Sequence, residues 1–126
     1  MECENVSAMK LRERQILQLK RNLDKIYKLK NEILKLVDES GNAGVLRKKI
    51  AEVLFLLGSM TSYANPRNEE LDAFIRKMNL QLVATEIGNS PWPAIEHEIH
   101  LFCEYINSIA FHFTAEGVKI LTHNSE

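Results

Sequence analysis

Little in this chain works as a covalent fastener or as punctuation. It has two cysteines, Cys3 and Cys103, a hundred positions apart. That spacing builds no disulfide framework, and no Cys-x-x-Cys pair offers zinc or redox chemistry, so a reducing, cytoplasmic setting is expected. Three prolines and five glycines leave room for long regular elements. The longest unbroken apolar run covers residues 53–57, far short of the ~20 residues of a membrane-spanning helix, so no membrane association is expected. The opening Met1-Glu2-Cys3-Glu4-Asn5 is acidic and polar, without the basic start and apolar stretch of a secretory signal.

Catalytic signatures are equally scarce. The sequence contains no Gly-rich phosphate loop, no Gly-x-Ser-x-Gly elbow and no Ser/His/Asp set that can be placed. The carboxylates are spread over outward helix positions, where no neighbour would shift their acidity. A non-enzymatic protein without cofactor is the expectation.

What the chain does have is helical periodicity. Its 126 residues, 45% hydrophobic and 26% charged, suit one ordinary globular domain, with loose ends expected at residues 1–8 and 122–126. A first helix is predicted over about residues 6–37, where Met9, Ile16, Leu19, Leu23, Ile26, Ile33 and Val37 recur at alternating spacings of three and four. Arg12 and Lys30 interrupt that seam. A second helix is predicted over 45–60. Leu54, Phe55 and Leu56 carry its apolar surface nearly all round, which marks a buried, central helix. Asn65 as N-cap and Pro66 in the first turn open a third helix, whose inward face is Leu71, Phe74, Ile75, Met78 and Leu82. Ser90 and Pro91 open a fourth in the same way. Trp92 is expected to staple its start, and Ile95, Ile99, Phe102, Ile106, Ile109 and Phe113 fall within about 40° of one line at 100° per residue. Cys103 flanks that line as a small buried filler. No strand is expected. Short connections make neighbours antiparallel, and the fold class predicted is all-α, an antiparallel four-helix bundle with an extended N-terminal helix.

Three kinds of surface stand out, the first of them apolar. The predicted first helix is longer than the others, so its front should overhang, leaving Ile16, Leu19, Leu23 and Ile26 seeking a protein partner or a second copy in a homodimer. Leu101 and Phe111, with Tyr105 and His112 beside them, suggest a further apolar patch on the outer side of the fourth helix.

Charge gives the second surface. Residues 1–35 hold nine Lys/Arg against five acids, and residues 51–126 hold four against ten. Arg14, Arg21, Lys28 and Lys35 recur every seven positions opposite the seam. Such a line can neutralise phosphates, although a solvated outer face looks the same and no aromatic residues interleave for base stacking. The third surface is His97, His100 and Glu104, which share one helix face and suit a divalent ion. Zinc-peptidase spacing is absent, and so is di-iron Glu-x-x-His spacing, because residue 97 is His. No metal is therefore expected there. The reading that follows is a protein-protein interaction module, a regulator, adaptor or inhibitor working through its first helix as a homodimer. The alternatives are a nucleic-acid-associated protein using the basic line and a small-ligand or metal binder using the His/Glu cluster.

Overall fold

The computed structural model describes residues 11–39, 42–88 and 92–122, with side chains described for all of these except 43, 84–88 and 92–95. It is mostly helical, with helices α1 (Glu13–Asp38), α2 (Ala43–Thr61), α3 (Glu69–Gly88) and α4 (Trp92–Asn107), followed by strands β1 (Ala110–Thr114) and β2 (Gly117–Leu121). α1 packs on α2, on α4 and on β1, and α2 packs on α3. α4 meets α3 through aromatic rings, Phe74 stacking on Tyr105 at 4.0 Å and on Phe102 at 5.8 Å between centroids.

α1 contains neither Gly nor Pro, and its 26 residues make a rod of about 39 Å. The helix starts at Glu13 rather than near residue 6, because Arg12 is extended (φ −85°, ψ 159°) and its N–H donates to Gln15 Oε1 at 2.8 Å. Residues 1–10 lie outside the described residues. Leu19, Ile26, Leu29, Ile33 and Val37 are buried, the heptad seam widened by Leu29 as its spacing demands. Ion pairs Lys25–Glu52 (2.9 Å) and Lys49–Glu32 (2.8 Å) bridge α1 and α2, and Lys30 Nζ donates to Asn107 Oδ1 on α4 at 2.7 Å. Part of the basic front is thus matched to polar and acidic groups within the chain.

α2 supplies more of the core than its neighbours: Leu46, Ile50, Val53, Leu54, Leu56, Leu57 and Met60 are buried. Phe55, expected inside with them, is 75% exposed. It lies 180° from Leu46 at 100° per residue, on a side that no other element among the described residues covers. Asn42 caps α2, its Oδ1 accepting from Val45 N–H at 3.0 Å. α3 is capped by Asn68 rather than Asn65: Leu71 N–H donates to Asn68 Oδ1 at 2.9 Å, and Glu69, Glu70 and Asp72 fill the first turn, where acids complement the helix dipole. The expected Ser90–Pro91 cap and the Trp92 staple lie outside the described residues and side chains.

The expectation that no strand is present is overturned at the C-terminal end. α4 stops at Asn107, and Ser108 Oγ donates to the Tyr105 carbonyl at 2.6 Å. Residues 110–121 then form an antiparallel hairpin, with Phe111 opposite Ile120 and Phe113 opposite Val118. Phe113 therefore leaves the helical line assigned to it, and Ile109 is buried in the connection just before β1. Along the hairpin, Phe111 and Phe113 are half-buried and Val118 and Ile120 buried, while His112 and Lys119 face outward, the period-two pattern of a sheet with one wet face. Gly117 has φ +138°, and a Cβ there would stand 2.7 Å from the Tyr63 carbonyl oxygen, so only glycine fits this turn.

The hairpin is stitched into the fold on two sides. Val118 N–H donates to Tyr63 O at 2.8 Å, and Asn65 N–H donates back to Val118 O at 2.9 Å. Asn68 Nδ2 donates to the Ile120 carbonyl at 2.9 Å. At the turn, Leu11 N–H donates to Ala115 O at 2.6 Å. These bonds cover an edge that would otherwise invite pairing. Thr122, expected in a loose tail, is buried.

These contacts remove the overhang. Leu19 is 3% and Ile26 0% exposed within the single chain. Leu19→Ala is expected to cost about 2–4 kcal/mol in urea unfolding, against near zero for Leu17→Ala one turn-face away. Equal losses from the two substitutions would show that this side of α1 is not covered as described.

Candidate interaction surface

The residues expected to form a docking seam divide by burial. Leu19 and Ile26 belong to the core, and Ile16 and Leu23 are half-buried against it. Within the single chain Leu19 and Ile26 are covered by its own elements, so the expectation that these two stand free for a partner is corrected, while Ile16 and Leu23 keep part of their surface open. The second expected patch also dissolves. Phe111 lies on β1, half-buried against the core. Tyr105 is held by its stack on Phe74 and donates its hydroxyl to Glu70 Oε2 at 2.7 Å. Leu101 alone of that group is an exposed apolar side chain, at 45%.

The basic line survives as geometry. Arg14, Arg21, Lys28 and Lys35 are all exposed, and none forms an ion pair among the described residues. Lys28 does act at a distance, helping Lys49 to hold the Glu32 carboxyl below its ordinary range, the Lys49 hydrogen bond being the larger cause. His97 and Glu104 are exposed and His100 is half-buried. Among the described residues no group of three His, Cys, Asp or Glu side chains is placed to hold a metal ion, so the metal version of the His97/His100/Glu104 reading finds no geometric support. Among the described residues no helix is long and apolar enough to cross a membrane.

Burial raises the pKa of Cys103 and of the half-buried Tyr27 and Tyr105, and each shift opposes reactivity. Burial pushes the Cys103 thiol up to about 11, against a smaller lowering by Lys30. The thiolate, which is the nucleophilic form, is thus suppressed at neutral pH. The Tyr105 hydroxyl is raised by burial first, then by its hydrogen bond to Glu70. An open depression of about 470 Å³ lies between the start of α3 and β2, lined in part by Arg67, Glu69, Glu70 and Lys119. Two of its four charges are engaged elsewhere, Arg67 with Asp72 at 2.7 Å and Glu70 with Tyr105.

The surface that sequence reasoning missed lies on α2 and α3. Phe55 is 75%, Leu80 72% and Val83 56% exposed. Arg47 Nη2 near the start of α2 donates to the Leu82 carbonyl near the end of α3 at 3.2 Å, which fixes the two helices as antiparallel neighbours. On α2, Leu54 and Arg47 mark the side toward α3; on α3, Ile75 and Leu82 mark the side toward α2. At 100° per residue, Phe55 and Ala51 then point out from one helix while Leu80 and Val83 point out from the other, on the same outward side of the pair. Lys48, Arg76 and Lys77 are exposed around them. The signal was present in the sequence: Phe55 and Leu80 each sit half a turn from their helix's core line.

Comparison with protein-family models, curated proteins and solved structures gives no match to this chain.

The thiol placement is directly measurable. In a Cys3→Ser background, Cys103 in the folded protein should react with an aromatic disulfide reagent about a hundred-fold more slowly than in urea at neutral pH. Equal rates in the two states would contradict its burial.

Proposed function

We propose that this protein is a non-enzymatic protein-binding module, an antiparallel bundle of four helices closed by a C-terminal hairpin, which docks a partner on the outward side of α2 and α3. The observation that carries this reading is the exposure of Phe55, Leu80 and Val83 around a core that is complete without them. Single exposed apolar residues are ordinary. Three large ones on adjoining outward positions of two packed helices form a patch of the kind partners cover. Covering a phenylalanine or leucine side chain is worth about 1.5–3 kcal/mol each, enough for two or three anchors to dominate a small interface. The core keeps its buried residues when these side chains change, so the surface can be tested without unfolding the protein.

The test is comparative capture from the host extract with wild type and with a Phe55→Glu/Leu80→Glu variant whose melting temperature matches wild type. A partner retained by wild type and lost by the variant is the expected result. Identical captures would remove the α2–α3 surface from consideration.

A second reading rests on a separate observation, the exposed row Arg14, Arg21, Lys28 and Lys35 along one side of a rigid α1. A polyanion such as RNA would be held there by counterion release, with little sequence preference. Binding that weakens steeply with salt and disappears when Arg14, Arg21 and Lys28 become Glu would establish it. Salt-independent binding, or none, would discard it.

A further inference from the structure

The α2–α3 surface carries charge as well as apolar area, and the charge is of one sign. Lys48 on α2 and the adjacent Arg76 and Lys77 on α3 are exposed beside Phe55, Leu80 and Val83. None of the three cations forms an ion pair among the described residues. The nearest acid on the outward side of α2, Glu52, is already engaged by Lys25 at 2.9 Å. Asp72, one turn before Arg76 on α3, is engaged by Arg67 at 2.7 Å, and Glu69 lies seven residues before Arg76, about 10 Å along the helix axis. This cluster runs against the composition around it, since residues 51–126 hold four bases against ten acids and two of those four are Arg76 and Lys77.

Geometry narrows the partner further. Two antiparallel helices present a groove along their outward side, and a third helix fills such a groove by seating its ridges there. From the Arg47–Leu82 hydrogen bond, Phe55 lies eight residues along α2, while Leu80 lies two residues back along α3. The two anchors are therefore separated by on the order of 9 Å along the pair, close to two turns of a docking helix. Apolar residues at i, i+3/i+4 and i+7 of one helix face would reach both.

We infer that the outward groove of α2 and α3 receives an acidic amphipathic helix of a partner protein, its apolar face on Phe55, Leu80 and Val83 and its carboxylates beside Lys48, Arg76 and Lys77. This rests on the protein-binding reading above and adds the chemistry of the partner. Cations on the rim speed encounter with an acidic partner and reject a basic one, while the apolar anchors supply the hold. A bare polyanion would use the charge and leave the anchors wet. A second copy of this chain would have to place like charges against each other across a two-fold axis.

The experiment is fluorescence anisotropy of the full chain with three labelled helical peptides of about 20 residues. The first has leucines at i, i+3, i+4 and i+7 with glutamates between them, the second has lysines in place of the glutamates, and the third has glutamates with alanines in place of the leucines. The leucine–glutamate peptide should bind at least about ten-fold more tightly than either control. The preference should fall away in Arg76→Glu/Lys77→Glu and, separately, in Leu80→Glu, with melting temperatures unchanged. Equal affinity for the glutamate and lysine peptides would overturn the inference, as would binding that needs no leucine. So would a concentration-dependent dimer, detected by light scattering, that is lost in Leu80→Glu. If the capture difference at Phe55 and Leu80 holds while the peptide preference fails, the partner chemistry is wrong and the module reading stands. If both fail, the module reading falls as well.

Discussion

Val118 holds this structure together in a way no single core side chain does. It stands opposite Phe113 in the hairpin register, its backbone N–H and carbonyl both bond to the 63–65 segment, at Tyr63 and Asn65, and its side chain is fully buried. Through it the hairpin is fixed to the α2–α3 connection, and through Ala115 the same hairpin is fixed to Leu11 ahead of α1. The position of α1 against β1 is held by that anchorage. A buried backbone that satisfies its polar groups on both edges is stiff as well as stable, so the hairpin serves as a clasp across elements far apart in sequence.

The four helices and most of their inward faces were legible because their spacing satisfies one constraint strongly. Leu19, Ile26 and Ile33 on α1, and Ile99, Phe102 and Ile106 on α4, fall where a three- to four-residue period puts them. The hairpin was hidden by coincidence. Ile109 and Phe113 continue the α4 line as well as they fit a strand, and Phe111-His112-Phe113 followed by Val118-Lys119-Ile120 is too short an alternation to override a helical stripe running into it. The turn, Ala115-Glu116, lacks the Asn-Gly signal that would have exposed it. The expected docking surface came from the predicted length of the first helix, about residues 6–37, whereas α1 begins at Glu13 and Leu19 and Ile26 are buried within the chain.

The surface now favoured has the opposite origin. Phe55 belongs to an apolar surface that runs nearly all round the second half of α2, which predicts burial, yet a helix with a partner on each flank still has one direction without cover. Phe55, Leu80 and Val83 occupy such directions, and they add nothing to the packing that defines the fold. A fold whose interior is closed by its own hairpin can vary these outward residues without loss of structure, so their apolar character calls for a reason outside the single chain.

The clasp also sets a schedule. Ala115 lies 104 positions after Leu11. At about 5–20 residues per second of synthesis, Leu11 leaves the ribosome some 5–20 seconds before the hairpin turn to which it is tied. Throughout that interval the tie between Leu11 and Ala115 cannot form, so the entry to α1 is fixed only after almost all of the described fold has been made.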